Sequence, residues 1–557
     1  MIDAARPSAA PRGGRARGRL PQPTTWLLAA GLLVQLLPLV LFPVVLTQDG
    51  AAHLDGAWVL VHHGDAGPVG AALRRQFSLD LSPVPNMFTS LVLAGLLHVV
   101  PADLAEKLLV AGFTVALAAA LGYAARGVDR RAGWLAAAAL PLAGSELVAY
   151  GFYNFCWGVS GGLVVLGMAL RRREGWTVRA AAGLGALLVL TWSAHLLPFL
   201  LAAFGVLLLA ALRTNADVRR GGELTAALRR HVLPVVLAGV PAAVLSIRYA
   251  ALGAGAVGGP TGGLAPSRVA SLVTGFRPFV VLSWLELVPA VAVVGTLGFL
   301  AWRAGRGRPL RDGDPDRWAL AVLPVLCAVA YLVTPDQLGE NFGFLPERLA
   351  WFPPLLLALW AATRPSGRRL RVIATAVLVV AASAAVVIRL PAQAGAARQD
   401  RELMSVAGAI PAGSDFLVLR YSGTPAPVLP VSSRTPDFLR HESSRLAIRS
   451  QSADVGMYEA ETPYFQVSFD GGPDVSRRIA AQPSDLEKRP PRVDLRAARG
   501  LVDYVLVVGL DAAPPAVRSA PQTRAVLAEL TGHYQEVAVS SPSGLVSVWR
   551  FRGAQPG

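Results

Sequence analysis

The sequence predicts an α-helical polytopic membrane protein of about 11 transmembrane helices, followed by a small C-terminal α/β domain. Three observations carry this reading. The chain is 53% hydrophobic and only 16% charged, where soluble proteins average about 25% charged residues. Apolar runs of about 20 residues recur through 26–390, the length that crosses a hydrocarbon core of roughly 30 Å. After residue 390 the pattern changes to short β-branched runs broken by Gly and Pro.

The N-terminus carries Arg6, Arg12, Arg15, Arg17 and Arg19 before the first apolar run. That run is longer than a signal-peptide core and lacks a small-x-small exit, so it reads as a retained span. Spans are expected near 26–46, 105–125, 132–150, 153–170, 178–194, 196–212, 232–252, 280–302, 318–334, 349–363 and 372–390. With residues 1–25 as a basic cytoplasmic tail, alternating sides puts 26 arginines into the inner segments. The outer segments before the tail hold few basic residues, which is the bias of the positive-inside rule. The stretch 87–100, "NMFTSLVLAGLLHV", is short for a span, and counting it as one would put "RGVDRR" outside. It reads as a re-entrant or interfacial helix within an outer loop over 47–104. The multi-pass region then covers 26–390, and an odd span count puts residues 391–557 outside a plasma membrane.

In that last region "DFLVLRY", "DYVLVVGL" and "GLVSVWRFR" read as strands, and "APPAVRSAPQTRAVLAELTGHY" as a proline-led helix. The net charge of +16 sits mainly in short loops between apolar runs, so a nucleic-acid partner is not expected. Cys156 and Cys327 both lie inside apolar segments and imply no disulfide framework. No phosphate-cradling glycine loop, HExxH or paired-cysteine motif is present, so neither ATP nor a metal is expected; the glycine-rich 253–263 reads as a loop.

The polar residues that interrupt the apolar pattern converge on the outer face. Asp49, His53 and Asp55 follow the first span in "LTQDGAAHLDGAWVL". Asn154 lies in "AYGFYNFCWG", His195 in "TWSAHLLPF", Arg248 near an outer helix end and Glu286 in "LSWLELVP". Glu347 and Arg348 close "TPDQLGENFGFLPERLAWF", which also carries Glu340 and Asn341. Each has a plain structural reading. Asp49 suits the N-cap of a helix over 50–63, Asn154 an interfacial aromatic belt, and His195 a tight turn. Glu347 suits an ion pair or an anchor. Glu286 is harder to place, because a carboxylate inside a span costs roughly 2.5–3.5 kcal/mol on insertion scales and wants a cavity or a partner. Taken together, these groups outline an outward polar cavity able to hold a polar headgroup whose lipid tail stays in the bilayer.

The layout resembles the GT-C superfamily of integral membrane glycosyltransferases, distantly like the protein mannosyltransferases and the lipid A aminoarabinose transferases. The residues carrying the resemblance are "TQDGAAHL" (47–54), "PNMF" (85–88) with "LAEKLL" (104–109), and "LPERLAWF" (345–352). The resemblance implies transfer of a sugar from a polyprenyl-phosphate carrier to an extracytoplasmic glycan, lipid or protein, with no separate cofactor. It implies Asp49 as base, and Arg348, then Arg248, on the carrier phosphate. From the spacing alone, His53 lies about one turn beyond Asp49 and is placed to orient it or the acceptor, with Asp55 a helper or structural residue; Asn154, His195, Glu286 and Glu347 join the same outward cavity by their placement at the outer face. Glycine follows Asp49 where protein mannosyltransferases have adjacent acids, and the tryptophan-rich acceptor motif of oligosaccharyltransferases is absent. Two other classes fit the same bulk features: a lipid or polysaccharide transporter or flippase, and a non-catalytic envelope assembly protein.

Overall fold

The computed structural model describes residues 22–251, 260–261, 266–307, 314–338, 342–422, 436–462, 464–469, 475–481, 485–486 and 488–553. Most of the basic tail, Glu340, Asn341 and most of the glycine-rich 253–263 lie outside these.

The chain opens with α1 (Pro23–Leu41), α2 (Gly50–His62), α3 (Pro68–Gln76), α4 (Phe88–Leu97) and α5 (Ala102–Val128). A 3-10 segment, Ala132–Ala139, runs into α6 (Leu140–Ala143) and α7 (Glu146–Ala149). There follow α8 (Tyr153–Arg171), α9 (Val178–Ala194), α10 (Leu196–Arg219), α11 (Leu224–His231) and α12 (Leu233–Ala251). Next come α13 (Pro266–Thr274), α14 (Phe276–Phe279), α15 (Leu287–Gly307), α16 (Pro315–Val333), α17 (Leu345–Leu349) and α18 (Phe352–Ala361). The long α19 (Arg368–Met404) leads into the C-terminal region, which holds α20 (Glu442–Ser450) and a terminal helix over Pro521–His533.

Eight helices among the described residues are long and apolar enough to cross a membrane, and the protein is a multi-pass membrane protein. Three expected spans are present as shorter apolar elements: 132–143, α9 and α18. The first span ends earlier than expected. Its helix stops at Leu41, and residues 44–50 run as buried chain into the protein. Pro43 explains the stop, since the residue before a proline is pushed out of the helical region. The stretch 87–100 is indeed short, a ten-residue helix.

The C-terminal strands are β5 (Asp415–Arg420), β6 (Ala453–Asp454), β8 (Tyr504–Val508), β9 (Tyr534–Val539) and β10 (Val546–Phe551), after the short β1 (Ser78–Leu79), β2 (Pro260–Thr261), β3 (Gln337–Leu338) and β4 (Phe342–Gly343); β7 is Val467–Ser468. Their order in the five-stranded sheet is β6-β5-β8-β10-β9, with β5 parallel to β6 and β8 and the other pairings antiparallel. The period of 2 shows in the packing. Leu417, Leu419, Val505 and Val507 enter one core, while Phe416, Leu506 and Val508 enter another with Leu403, Met404 and Leu446. That second core roots the sheet on the end of α19, whose 37 residues span about 55 Å, well beyond the hydrocarbon core. β1 pairs antiparallel with β7, so the segment after α2 and α3 is stitched to the C-terminal region.

Glu286 and Arg389 brace this arrangement. Glu286 is fully buried and accepts from the backbone N–H groups of Val281, Leu282 and Ser283 at 3.0, 2.8 and 2.9 Å. Arg389 of α19 donates to Glu286 at 2.8 Å from Nε, to the Phe279 carbonyl at 2.8 Å and to the Gly144 carbonyl. Removing one partner of a buried pair leaves the other charge uncompensated, a loss of about 3–5 kcal/mol. Arg389→Ala is therefore expected to lower the thermal midpoint of the detergent-solubilised chain sharply, with Arg389→Lys intermediate because it cannot reach three acceptors. A midpoint within a degree or two of wild type for Arg389→Ala would contradict the assignment.

Candidate functional site

The buried run 44–50 brings Asp49 to the start of α2, and the turn before α8 holds it there. Gln48 N–H donates to the Ala149 carbonyl at 2.9 Å and Asp49 N–H to the Tyr150 carbonyl at 3.0 Å. Gly151 closes this turn with φ +83°, and a Cβ there would press on Gly50 N at 2.7 Å. Only glycine suits both the left-handed backbone and the close approach. A Cβ at Gly50 would itself collide with Thr47, Glu106 and Tyr153.

Asp49 occupies the N-cap position of α2, yet its side chain makes no capping hydrogen bond. The carboxylate is buried; it accepts from Gln48 Nε2 at 3.1 Å and lies 3.4 Å from His441 Nε2. The plain cap reading therefore does not describe this side chain. His441 stacks on Tyr458, ring centroids 4.8 Å apart. Tyr458 hydrogen-bonds Tyr464, and Tyr464 in turn feels both Asp49 and Arg348.

Arg348 sits on α17, which starts after Phe344 in the left-handed region at φ +56°. Its Nη1 donates to the Gly343 carbonyl at 3.0 Å, and its guanidinium lies 4.9 Å over the Phe152 ring. Its Nε is buried with no hydrogen-bond partner among the described residues. Burial pulls this guanidinium down; the oxygens of Tyr464, Tyr458, Glu347 and Asp49 pull it back. A buried donor left without a partner costs free energy until an acceptor reaches it.

His53 pairs through Nδ1 with Glu459, and both are buried. Asp55 turns elsewhere on α2. Burial pushes it well above the usual carboxylate range, as does the neighbouring Asp454, and Ser444 hydrogen-bonds it. It therefore faces the C-terminal region and not Asp49.

The remaining expected site residues divide. His195 caps α10, its Nδ1 accepting from Leu197 N–H at 3.1 Å, and sits edge-on to Phe155 within the field of Arg348. Glu347 pairs with Arg277. Asn154 instead holds the start of α4: its Oδ1 accepts from Thr89 N–H at 2.9 Å and its Nδ2 donates to the Asn86 carbonyl at 2.7 Å. Arg248 is exposed, with its field felt at Asp80, and Glu286 is consumed by the brace described above. None of these last three joins Asp49 and Arg348, because each is spent on, or exposed at, another part of the fold.

Sequence reasoning missed Glu106, His441, Arg445, Tyr458, Glu459 and Tyr464. Glu106 lies within α5 and is fully buried, the same signal that singled out Glu286. Tyr153 OH donates to Glu106 Oε1 at 2.8 Å and pairs with Thr47 Oγ1 at 2.9 Å. Arg445 of α20 reaches Glu106 at 2.9 Å, Asp103 at 2.7 Å and Glu442 at 3.0 Å. No group of three or more His, Cys, Asp and Glu that could hold a metal occurs among the described residues.

Fold and site together define a multi-pass membrane protein whose C-terminal region packs beside a buried acid and a half-buried arginine. The chain is similar to the crystal structure of ArnT from Cupriavidus metallidurans bound to undecaprenyl phosphate, with 14% identity and a TM-score of 0.49, over 96% of this chain and 99% of that one. No family model and no curated protein matches the chain.

The buried acids give the site a pH dependence. Burial pushes Asp454 up to about 6 from 3.8. The folded state thus prefers its neutral form, so the stability it contributes is full below 3.8 and is lost as pH rises through about 6. Asp454→Asn keeps an acceptor for Gly456 N–H, which now donates to Oδ1 at 2.9 Å, and removes the charge. The variant is expected to melt higher than wild type at pH 7.5, with the gap shrinking at pH 4. An equal gap at both values would contradict the assignment.

Proposed function

We propose that the chain is a membrane glycosyltransferase of GT-C type. It moves a sugar from a polyprenyl-phosphate carrier to an extracytoplasmic acceptor in cell-envelope glycan, glycolipid or glycoprotein synthesis. The observation that carries this reading is two groups close enough to feel each other's charge: a buried carboxylate that caps nothing, and a half-buried guanidinium with an open donor.

The chemistry follows from their types. An acceptor hydroxyl is a poor nucleophile at neutral pH, and Asp49 takes its proton as the new glycosidic bond forms, an effect of about 10²–10⁴-fold. The bond from the anomeric carbon to the carrier phosphate breaks, and the phosphate leaves with the electron pair. Arg348 meets the charge that develops on the phosphate oxygens, with a planar fork that suits them. Tyr458 and Tyr464 flank the two groups and add hydroxyls. Neither a nucleotide nor a metal enters this scheme. The pocket faces outside, the C-terminal region with it, and residues 1–25 face the cytoplasm, as the arginine bias requires.

The test uses membrane vesicles carrying the full chain and a mixed set of undecaprenyl-phosphoryl mannose, glucose and arabinose, each labelled in the sugar. Wild type is expected to move label out of the lipid fraction. Asp49→Asn keeps the acceptors that Gln48 and His441 meet but removes the charge, so transfer is expected to fall at least about a hundredfold with normal insertion. Arg348→Ala is expected to weaken binding of undecaprenyl phosphate itself, and Arg348→Lys to restore only part, since a point charge does not reproduce the fork. Robust transfer by Asp49→Asn would overturn the assignment of the base. Uptake of free solute without lipid-linked sugar would favour a transporter.

A further inference from the structure

Glu459 lies in a one-turn 3-10 helix, Glu459–Glu461, far along the chain from α2, and is almost completely buried. Its carboxylate reaches His53 in the first turns of α2. The room for it comes from Gly56: a Cβ there would fall on Glu459 Oε2. A glycine inside a helix is less favourable than alanine, and here its missing side chain admits a carboxylate. The His53 ring lies between Tyr153 and Phe465, at centroid distances of 5.7 and 5.6 Å, beside the Gly151 backbone. Gly151 belongs to the turn whose carbonyls, those of Ala149 and Tyr150, receive the N–H groups of Gln48 and Asp49.

We propose that Glu459 is a positioning residue for the transfer reaction: it fixes His53 against the Gly151 turn, that turn sets the place of Asp49, and the C-terminal region thereby forms part of the active site. The inference rests on the reading of Asp49 as the base. The titratable groups facing His53 are Glu459, Asp49 and Tyr153. Burial works against the imidazolium, but Glu459 and then Asp49 outweigh it and hold His53 above its usual 6.5. Without the Glu459 charge, burial wins and His53 titrates lower. Activity that needs the imidazolium is lost as pH rises through the His53 midpoint. Loss of Glu459 therefore moves the alkaline limb of the rate profile toward acid.

The experiment compares full-length wild type, Glu459→Gln, Glu459→Asp and Gly56→Ala in nanodiscs. Two readouts are taken: the His53 titration by NMR of ring-labelled histidine, and the pH dependence of transfer from the three undecaprenyl-phosphoryl sugars. Glu459→Gln is expected to lower the His53 midpoint by about one unit or more. It is also expected to lower kcat about tenfold with KM for the lipid donor nearly unchanged, and to shift the alkaline limb by the same amount as His53. Glu459→Asp keeps the charge and recovers part of both; Gly56→Ala, which crowds the carboxylate, moves both in the Gln direction. An unchanged His53 midpoint in Glu459→Gln would overturn the pairing. A lowered midpoint with wild-type kcat and profile would overturn the positioning role. A wild-type chain that transfers none of the sugars would remove the reading of Asp49, while the NMR titration still reports the pairing by itself.

Discussion

A single guanidinium ties the two halves of this molecule together. Arg445 enters from α20 and meets Glu106 and Asp103 on α5 as well as Glu442 on its own helix. It is buried, as are Glu106 and Glu442. Burying charge is expensive unless every charge has a partner, and here one cation faces several carboxylates. Burial pushes the Glu442 carboxyl above its usual range, and Arg445 pulls it back. The network then runs toward the site: Glu106 accepts from Tyr153, Tyr153 meets Thr47, and Thr47 lies two residues before Asp49. Docking of the C-terminal region and placement of the proposed base are thus one mechanical problem.

Glycines solve the packing side of that problem. Gly50, Gly56 and Gly151 stand where a Cβ would strike Glu106 or Tyr153, Glu459, and the Gly50 backbone. They let a helix start, a turn and two carboxylates share a volume that side chains would fill. The cavity beside this knot lies between α1, α5 and α19, with Thr47, Gln35 and Gln393 on an otherwise mostly apolar wall. α1 is mostly exposed along its length, which places an apolar face next to the stretch leading to Asp49. Such a setting suits a ligand with a polar head and a hydrocarbon tail.

The membrane architecture was legible in the sequence because long apolar runs and arginine-rich loops are local signals. The short helix within 87–100 and the strands at "DFLVLRY", "DYVLVVGL" and "GLVSVWRFR" were legible for the same reason. The first helix was drawn too long because hydrophobicity continues through Val44–Leu46 while Pro43 breaks the helix. The site was only half legible. Asp49, His53 and Arg348 stood out as polar residues in apolar surroundings. Glu459, Tyr458 and His441 did not, because in the C-terminal region polar residues are ordinary, and nothing local says that Glu459 meets His53, 406 positions away, or that His441 meets Asp49. Glu286 and Asn154 show the reverse failure: residue type flagged them, but the backbone groups they satisfy are set by tertiary structure.

In the proposed reaction Asp49 and Arg348 bracket a lipid-linked sugar, the acid toward the sugar and the guanidinium toward the phosphate. Cryo-electron microscopy of the full chain in nanodiscs with an undecaprenyl-phosphoryl sugar tests this most directly. Phosphate oxygens are expected within hydrogen-bond distance of Arg348 Nε, with the sugar between that phosphate and the Asp49 carboxylate and the tail leaving toward the bilayer. A lipid phosphate bound away from Arg348, with Asp49 facing protein alone, would contradict it.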